Sequence, residues 1–193
     1  MLTRNDNETL ARVGPGTVMG DCLRQYWTPA FLSWEVEPDG APLRIRLMGE
    51  DLVAFRATDG TVSLMANACP HRGASMFFGR NEENGLRCVY HGWKFDTEGT
   101  CVDMPNEPAE SNFKHKIKAT AYPTSERNGV IWIYMGPRQT PPELPHFEPN
   151  MNPDGINIQC IQRECNWLQA LEGDIDTSHL GFLHLGSVKP EDT

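Results

Sequence analysis

The sequence predicts a mainly β protein: an antiparallel β domain entered through a short helical segment and followed by the start of an α+β unit. Three observations carry that expectation. Short apolar-alternating runs recur between residues 27 and 136, separated by Gly, Asn-Gly and Asp-Gly turns. Glycine (17) and proline (15) together make about one residue in six of the 193, against nearer one in eight on average. Beyond a proline-dense stretch, the apolar period changes from that of a strand to that of a helix.

Taken in order, residues 1–26 read as two helical pieces parted by Gly14-Pro15-Gly16. Thr17 caps the second, with Val18, Met19, Cys22 and Leu23 on one side. Residues 27–136 read as the β domain. In it, 43–48 and 52–57 join at Gly49-Glu50-Asp51, and Asp59-Gly60 leads into 61–65. Runs 89–96 and 100–104 flank Thr97-Glu98-Gly99, and 119–124 and 130–135 flank Arg127-Asn128-Gly129. Residues 137–155 hold Pro137, Pro141, Pro142, Pro145, Pro149 and Pro153, which reads as a stiff linker. In the last stretch, 156–193, residues 156–165 read as a strand and 166–184 as a helix capped by Asn166. Its apolar stripe is Trp167, Leu168, Leu171 and Ile175. One strand and one helix cannot bury a core alone, so the expectation is the front end of a longer polypeptide or a unit needing a partner.

Composition excludes several classes. The net charge is −9 with no Lys/Arg-rich run, which argues against nucleic acid or an anionic membrane surface as partner. The longest apolar stretch, 130–135, is far short of the ~20 residues that cross a bilayer. The first residues lack an apolar signal core, so the chain reads as cytoplasmic, where thiols stay reduced. The six cysteines then read as metal ligands or buried side chains rather than a disulfide framework.

Four residues stand out by spacing. Cys69-Pro70-His71 and Cys88-Val89-Tyr90-His91 form two Cys–His arms, each at the tip of an expected β-turn, with 16 residues between His71 and Cys88. Two thiolates on one iron and two imidazoles on the other describe a Rieske [2Fe–2S] centre, whose potential lies well above that of an all-cysteine cluster. Zinc fingers group like ligands instead, and nothing here gives a cysteine a nucleophile's surroundings. Trp93 and Tyr90 read as shields, and Cys22, Cys101, Cys160 and Cys165 as buried small hydrophobes.

A second group follows at Asp176, His179 and His184. Asp176 and His179 are three apart, while His179 and His184 would stand about 140° apart on a regular helix, so they meet at one ion only if the helix loosens near Gly181. Two histidines with a distant carboxylate make the facial triad of non-haem Fe(II) oxygenases. The bland alternative is a surface helix with two unrelated histidines; the upstream motif favours the metal reading. His115 and His146 read as exposed, and Glu172 and Asp174 as a solvated face.

Together the motifs resemble the oxygenase (α) subunit of Rieske non-haem iron aromatic ring-hydroxylating oxygenases, most of all the phthalate 4,5-dioxygenase branch. The likeness extends to Arg12-Val13-Gly14-Pro15-Gly16-Thr17, Gly49-Glu50-Asp51-Leu52-Val53-Ala54-Phe55-Arg56 and Glu164-Cys165-Asn166-Trp167-Leu168-Gln169. It implies a Rieske domain at 27–136 and the truncated start of a helix-grip-like catalytic domain at 156–193. It implies Cys69, His71, Cys88 and His91 on the cluster, and His179 and His184 on a mononuclear Fe(II). Asp176 would be the bridging carboxylate that links an iron-ligand histidine to the counterpart of His91 in the next subunit of a trimer-based homo-oligomer. The implied partners are a flavin/iron–sulfur reductase fed by NADH, O2 and an aromatic carboxylate such as phthalate. The third iron ligand and the substrate pocket fall outside the 193 residues, so this stretch is expected to carry electrons without oxygenating. The rival readings are an O-demethylase or monooxygenase of methoxylated aromatics, a Rieske electron carrier alone, and a zinc-stabilised interaction module.

Overall fold

A computed structural model describes residues 2–111, 113–152, 157–184 and 186 of the chain. The chain divides into two compact units. One spans Val13–Cys160; the other joins the described residues before Val13 to those after Cys160. Among the described residues no helix is long and apolar enough to cross a membrane.

In chain order the elements are α1 (Arg4–Ala11), α2 (Val18–Leu23), β1 (Trp27–Leu32), β2 (Leu43–Leu47), β3 (Glu50–Arg56), β4 (Val62–Ala66), β5 (Arg80–Glu82) and β6 (Gly85–Arg87). There follow β7 (Lys94–Phe95), β8 (Cys101–Asp103), β9 (Ala121–Tyr122), β10 (Thr124–Arg127), β11 (Val130–Tyr134), α3 (Glu148–Met151) and α4 (Trp167–Ile175). The strands form three antiparallel sheets, ordered β1-β11-β10, β2-β3-β4-β9 and β5-β6-β7-β8. The mainly β, antiparallel reading of the sequence holds.

Strand β3 explains how these sheets share an interior. Side chains alternate across a strand, and both faces of β3 are covered. Val53 and Phe55 enter one core with Met65, Met76, Leu86 and Phe95. Leu52 and Ala54 enter a second with Phe31, Leu64, Ile131 and Ile133. A strand buried on both sides reads as a continuous apolar run, which is what Leu52-Val53-Ala54-Phe55 is.

The hairpins follow turn chemistry. Asn128-Gly129 closes β10 on β11 with both residues at positive φ, as a two-residue primed turn requires. Between β2 and β3 the turn is Met48-Gly49, since Leu47 already faces Glu50; the strands meet two residues earlier than expected. A further hairpin joins β5 to β6 through Glu83 and Asn84, both left-handed, one residue ahead of the Asn84-Gly85 pair. Residues 89–93 are a loop rather than the start of a strand; only Lys94–Phe95 of that run pairs.

Helix α2 is capped by Thr17, whose hydroxyl accepts from the Gly20 N–H. Its inward face is Gly20 and Leu23 with Arg24 just beyond, while Val18 and Cys22 are exposed. The cause is Arg24, which is buried and reaches back to the Met48 carbonyl and the Glu50 carboxylate. Cys160 and Cys165 are also exposed, against expectation, and Cys101 is buried as expected. The proline-rich stretch lies against the β domain: the Trp27 indole donates to the Pro142 carbonyl, and Arg127 to those of Leu144 and Pro145. It also holds α3, with Pro149 in the first turn where a missing N–H is tolerated. Pro153 to Ile156 lie outside the described residues.

The second unit contains α1 and α4, where the Trp167 indole donates to the Leu10 carbonyl. Residues 157–165 form no strand, because among the described residues no sheet edge pairs with them. Of the expected stripe on α4, Leu171 and Ile175 are exposed.

One charged tie in the β domain sets a pH dependence. Arg56 on β3 grips Glu126 on β10 with both arms, at 2.9 and 3.2 Å, and this holds the Glu126 carboxyl below the usual carboxylate range. A depressed folded value means stability present above the unfolded value of about 4.3 and lost as pH falls through the folded one. Urea midpoints measured from about pH 6 down to pH 3 are therefore expected to fall less steeply in Glu126→Gln than in the parent chain. Parallel curves would remove Glu126 from the acid response.

Candidate metal centre

Two loops of the same build project from neighbouring sheets. The first follows β4 and is closed by the pairing of Ala68 with Ser75. The second is the connection between β6 and β7, where Arg87 faces Lys94. In each, a cysteine N–H donates to the carbonyl five residues on: Cys69 to Ala74 and Cys88 to Trp93, both at 2.9 Å. A left-handed glycine four residues on donates back to that cysteine's carbonyl, Gly73 at 2.8 Å and Gly92 at 3.0 Å. Only glycine takes such φ values without strain. At Gly92 the requirement is double, since a Cβ there would stand 2.6 Å from Pro105 Cγ.

These folds bring the four predicted side chains together. Cys69 and Cys88 are each 3% exposed and form part of the core beneath the loops. The His71 and His91 rings lie 4.5 Å apart. Trp93 stacks on His71 at 4.2 Å and 6°; its indole N–H is fixed by the Asn106 side chain at 2.8 Å, and Phe113 meets its edge. Tyr90, largely exposed, sits 3.9 Å from the His91 ring. So Trp93 is a buried wall and Tyr90 an outer cover.

The electrostatics of the group follow from its burial. Burial pushes the Cys69 thiol up to about 11, and the adjoining Cys88 adds to it. Burial, then the neighbouring His91, moves the His71 pKa down, keeping its ring neutral. Its Nδ1 is buried and has no hydrogen-bond partner. A buried acceptor without a partner is costly, and a metal on that nitrogen satisfies it. Two soft sulfurs and two imidazoles fit an iron–sulfur cluster.

Three residues that the motif did not mark complete the surroundings. Asn67 braces the first loop, its side-chain oxygen accepting from the Ser75 hydroxyl and the Phe77 N–H. Arg87 donates to the Gly92 carbonyl at 2.7 Å. Asn106 fixes Trp93. None of the three is marked in the chain by residue type or spacing.

The second group takes a different form from the one expected. Helix α4 ends at Ile175, not at residue 184. Asp176 is extended, and its carboxylate accepts from the Ser178 N–H at 2.8 Å, a local bond that competes with helix continuation. A short 3₁₀ turn, Ser178–Gly181, follows. That break lets the rings of His179 and His184 approach to 5.3 Å. Asp176 Oδ2 lies 3.3 Å from His179 Nδ1, and the Ser178 N–H, then His179, holds the Asp176 carboxyl below its ordinary value. Among the described residues no three or more His, Cys, Asp or Glu side chains are grouped to hold one metal ion. His115 and His146 are exposed.

Comparison with known proteins bears on the family. The Rieske [2Fe–2S] domain matches residues 26–123, and a LigXa C-terminal domain like family matches residues 133–193. The 3-chlorobenzoate-3,4-dioxygenase oxygenase subunit of Comamonas testosteroni is 52% identical over 100% of this chain and 45% of its own. The phthalate 4,5-dioxygenase oxygenase subunit of Pseudomonas putida is 49% identical over 98% of this chain and 44% of its own. The crystal structure of dicamba monooxygenase bound to dicamba superposes with a TM-score of 0.71, at 27% identity, over 83% of this chain and 48% of that one. The chain thus spans a little under half the length of the curated relatives it matches.

Proposed function

Because this chain belongs to the Rieske [2Fe–2S] domain family and is kin to the oxygenase subunits of aromatic dioxygenases, we propose that it serves in the oxygenase component of a Rieske dioxygenase acting on an aromatic carboxylate. The observation that carries the reading is the unpartnered, buried Nδ1 of His71 beside a buried pair of cysteines and a second histidine.

In this reading Cys69 and Cys88 hold one iron of the cluster and His71 and His91 the other. When bound, the cluster supplies one-electron transfer at a potential raised by its imidazole ligands. The chain's residues do the rest. Trp93 keeps water off the face of His71, Tyr90 covers His91, and the left-handed Gly73 and Gly92 curl the backbone around the ligands. His179 and His184 are the proposed ligands of a mononuclear Fe(II), which supplies the chemistry of O2 activation when bound. Asp176 engages one nitrogen of His179 and so turns the other outward, the usual part of a carboxylate behind a metal-bound imidazole. The partners in this reading are a flavin/iron–sulfur reductase, O2, and further copies of the chain in a trimer-based assembly. Phthalate and chlorobenzoate in the relatives' names support an aromatic carboxylate as substrate. A monooxygenase reading draws on the dicamba enzyme; release of formaldehyde instead of a cis-diol would favour it.

Anaerobic reconstitution of the chain with iron and sulfide tests the premise. About two irons and two sulfides per chain are expected, red-brown, with a reduced EPR signal of mixed thiolate–imidazole ligation. A colourless protein that binds zinc and retains no sulfide would overturn it.

A further inference from the structure

We propose that Arg87 is a positioning residue for the cluster: its guanidinium pins the Gly92 carbonyl and thereby sets Trp93 against His71, coupling the two loops. The inference rests on the reading of these loops as a cluster site.

The Arg87 side chain is 14% exposed and spends its donors on three different parts of the fold. It donates to Glu82 on β5, to Asp103 on β8 at 2.7 Å, and to the Gly92 carbonyl at 2.7 Å. Two carboxylates on separate strands fix the plane of the guanidinium, a rigid fork whose third direction is then determined. That direction is the loop. A peptide is planar and trans, so its carbonyl and the next N–H point opposite ways. Holding the Gly92 oxygen outward therefore fixes the peptide between Gly92 and Trp93, with the Trp93 N–H turned away from Arg87.

The consequence crosses to the other loop. Trp93 leaves that peptide and lies parallel on His71 at 4.2 Å, so the ring of one loop rests on the backbone orientation of the other. The first loop has no equivalent brace: the residue before its cysteine is Ala68, and Asn67 supports it from within. Arg87 is thus more than one of the exposed ion pairs of this surface. Arg80, whose side chain is 68% exposed, shares Glu82 with it from the same strand.

The test uses the full chain carrying reconstituted cluster. In Arg87→Met, iron loss to a chelator is expected to accelerate about tenfold, the lower end for groups that orient metal ligands. Its reduced EPR line shape is expected to change, and its midpoint potential to fall as a cation leaves the neighbourhood of a group that gains an electron. Arg87→Lys, which keeps one donor for the Gly92 carbonyl, is expected to fall between parent and Arg87→Met; Arg80→Met is expected to match the parent. Parental line shape and iron-loss rate in Arg87→Met overturn the proposal even if its urea midpoint drops, and so does an Arg87→Lys no better than Arg87→Met. Should Arg87→Met fail to fold, Arg87→Gln decides on the same two readouts. Failure of the parent chain to take up a cluster would instead sink the functional reading.

Discussion

Cys88→Ser is expected to leave the chain without iron or sulfide after reconstitution. The reason is specific to the atom. Serine is nearly the same size, but its oxygen is a hard donor that ionises far less readily than a thiol, and iron–sulfur clusters are held by thiolates. The Cys88 N–H and carbonyl remain bonded to Trp93 and Gly92, so the loop keeps its shape and the loss belongs to the ligand. Groups that merely orient a ligand are worth 10- to 100-fold in metal affinity, so loss of a ligand is expected to lower bound iron by at least about tenfold. Cys101→Ser is the matched control. Cys101 lies in the same core, equally buried, with its sulfur turned to the Asp103 carbonyl at 3.5 Å. A hydroxyl can donate to that carbonyl, and iron content should stay at the parental level. Iron and sulfide analysis on both variants, beside a far-ultraviolet dichroism spectrum, reads the outcome. Full cluster in Cys88→Ser, or its loss in Cys101→Ser, would move the ligand assignment elsewhere.

Phe95→Ala is expected to be the most destabilising single change in the β domain. Phe95 is fully buried on β7 opposite Leu86, in the core that contains both loop cysteines and Trp93. Removing a phenyl ring from such a position costs about 3–5 kcal/mol, comprising lost transfer free energy and an unfilled cavity. A domain's whole margin is about 5–15 kcal/mol, so about a fifth of it at the least is at stake. With a typical urea slope of about 2 kcal/mol per molar, the midpoint should fall by about 2 M. Trp93 and both cysteines rest on this ring's neighbours, so the cluster loops are expected to loosen before the unit unfolds. A midpoint shift below about 0.5 M would mean that the surrounding core collapses into the space, against the dense packing assumed here.

The candidate site was more legible in the sequence than the fold around it. A ligand set is written in residue type and short spacing, and Cys69-x-His71 and Cys88-x-x-His91 carry both. What the motif does not contain is what braces it. Asn106 reaches Trp93 from 13 residues away and Arg87 acts on a carbonyl, and neither relation leaves a pattern in the chain. Hairpins with Gly in the turn, at Asp59-Gly60 and Asn128-Gly129, are legible; the one at Glu83-Asn84 stands one residue ahead of the Asn84-Gly85 pair and puts Glu83, an uncommon left-handed residue, in the turn. Residues 89–93 alternate like a strand and yet form a loop, for the local pattern says nothing of whether a partner strand is in reach. The helix expected to run to His184 stops at Ile175 because one carboxylate, Asp176, captures a backbone N–H. Cys22, Cys160 and Cys165 stand exposed because burial is decided by neighbours and not by side-chain character.

Strand β3 has a thermodynamic meaning beyond its place in the sheet. Its consecutive residues are mortgaged to opposite interiors, so neither interior can melt while the other persists: wetting one strips the wall from its twin. The β domain should therefore behave as a single cooperative block rather than two foldons. Disturbance planted among Phe31, Ile131 and Ile133, which lie in the other interior, then registers at the candidate ligands with no wire needed between them.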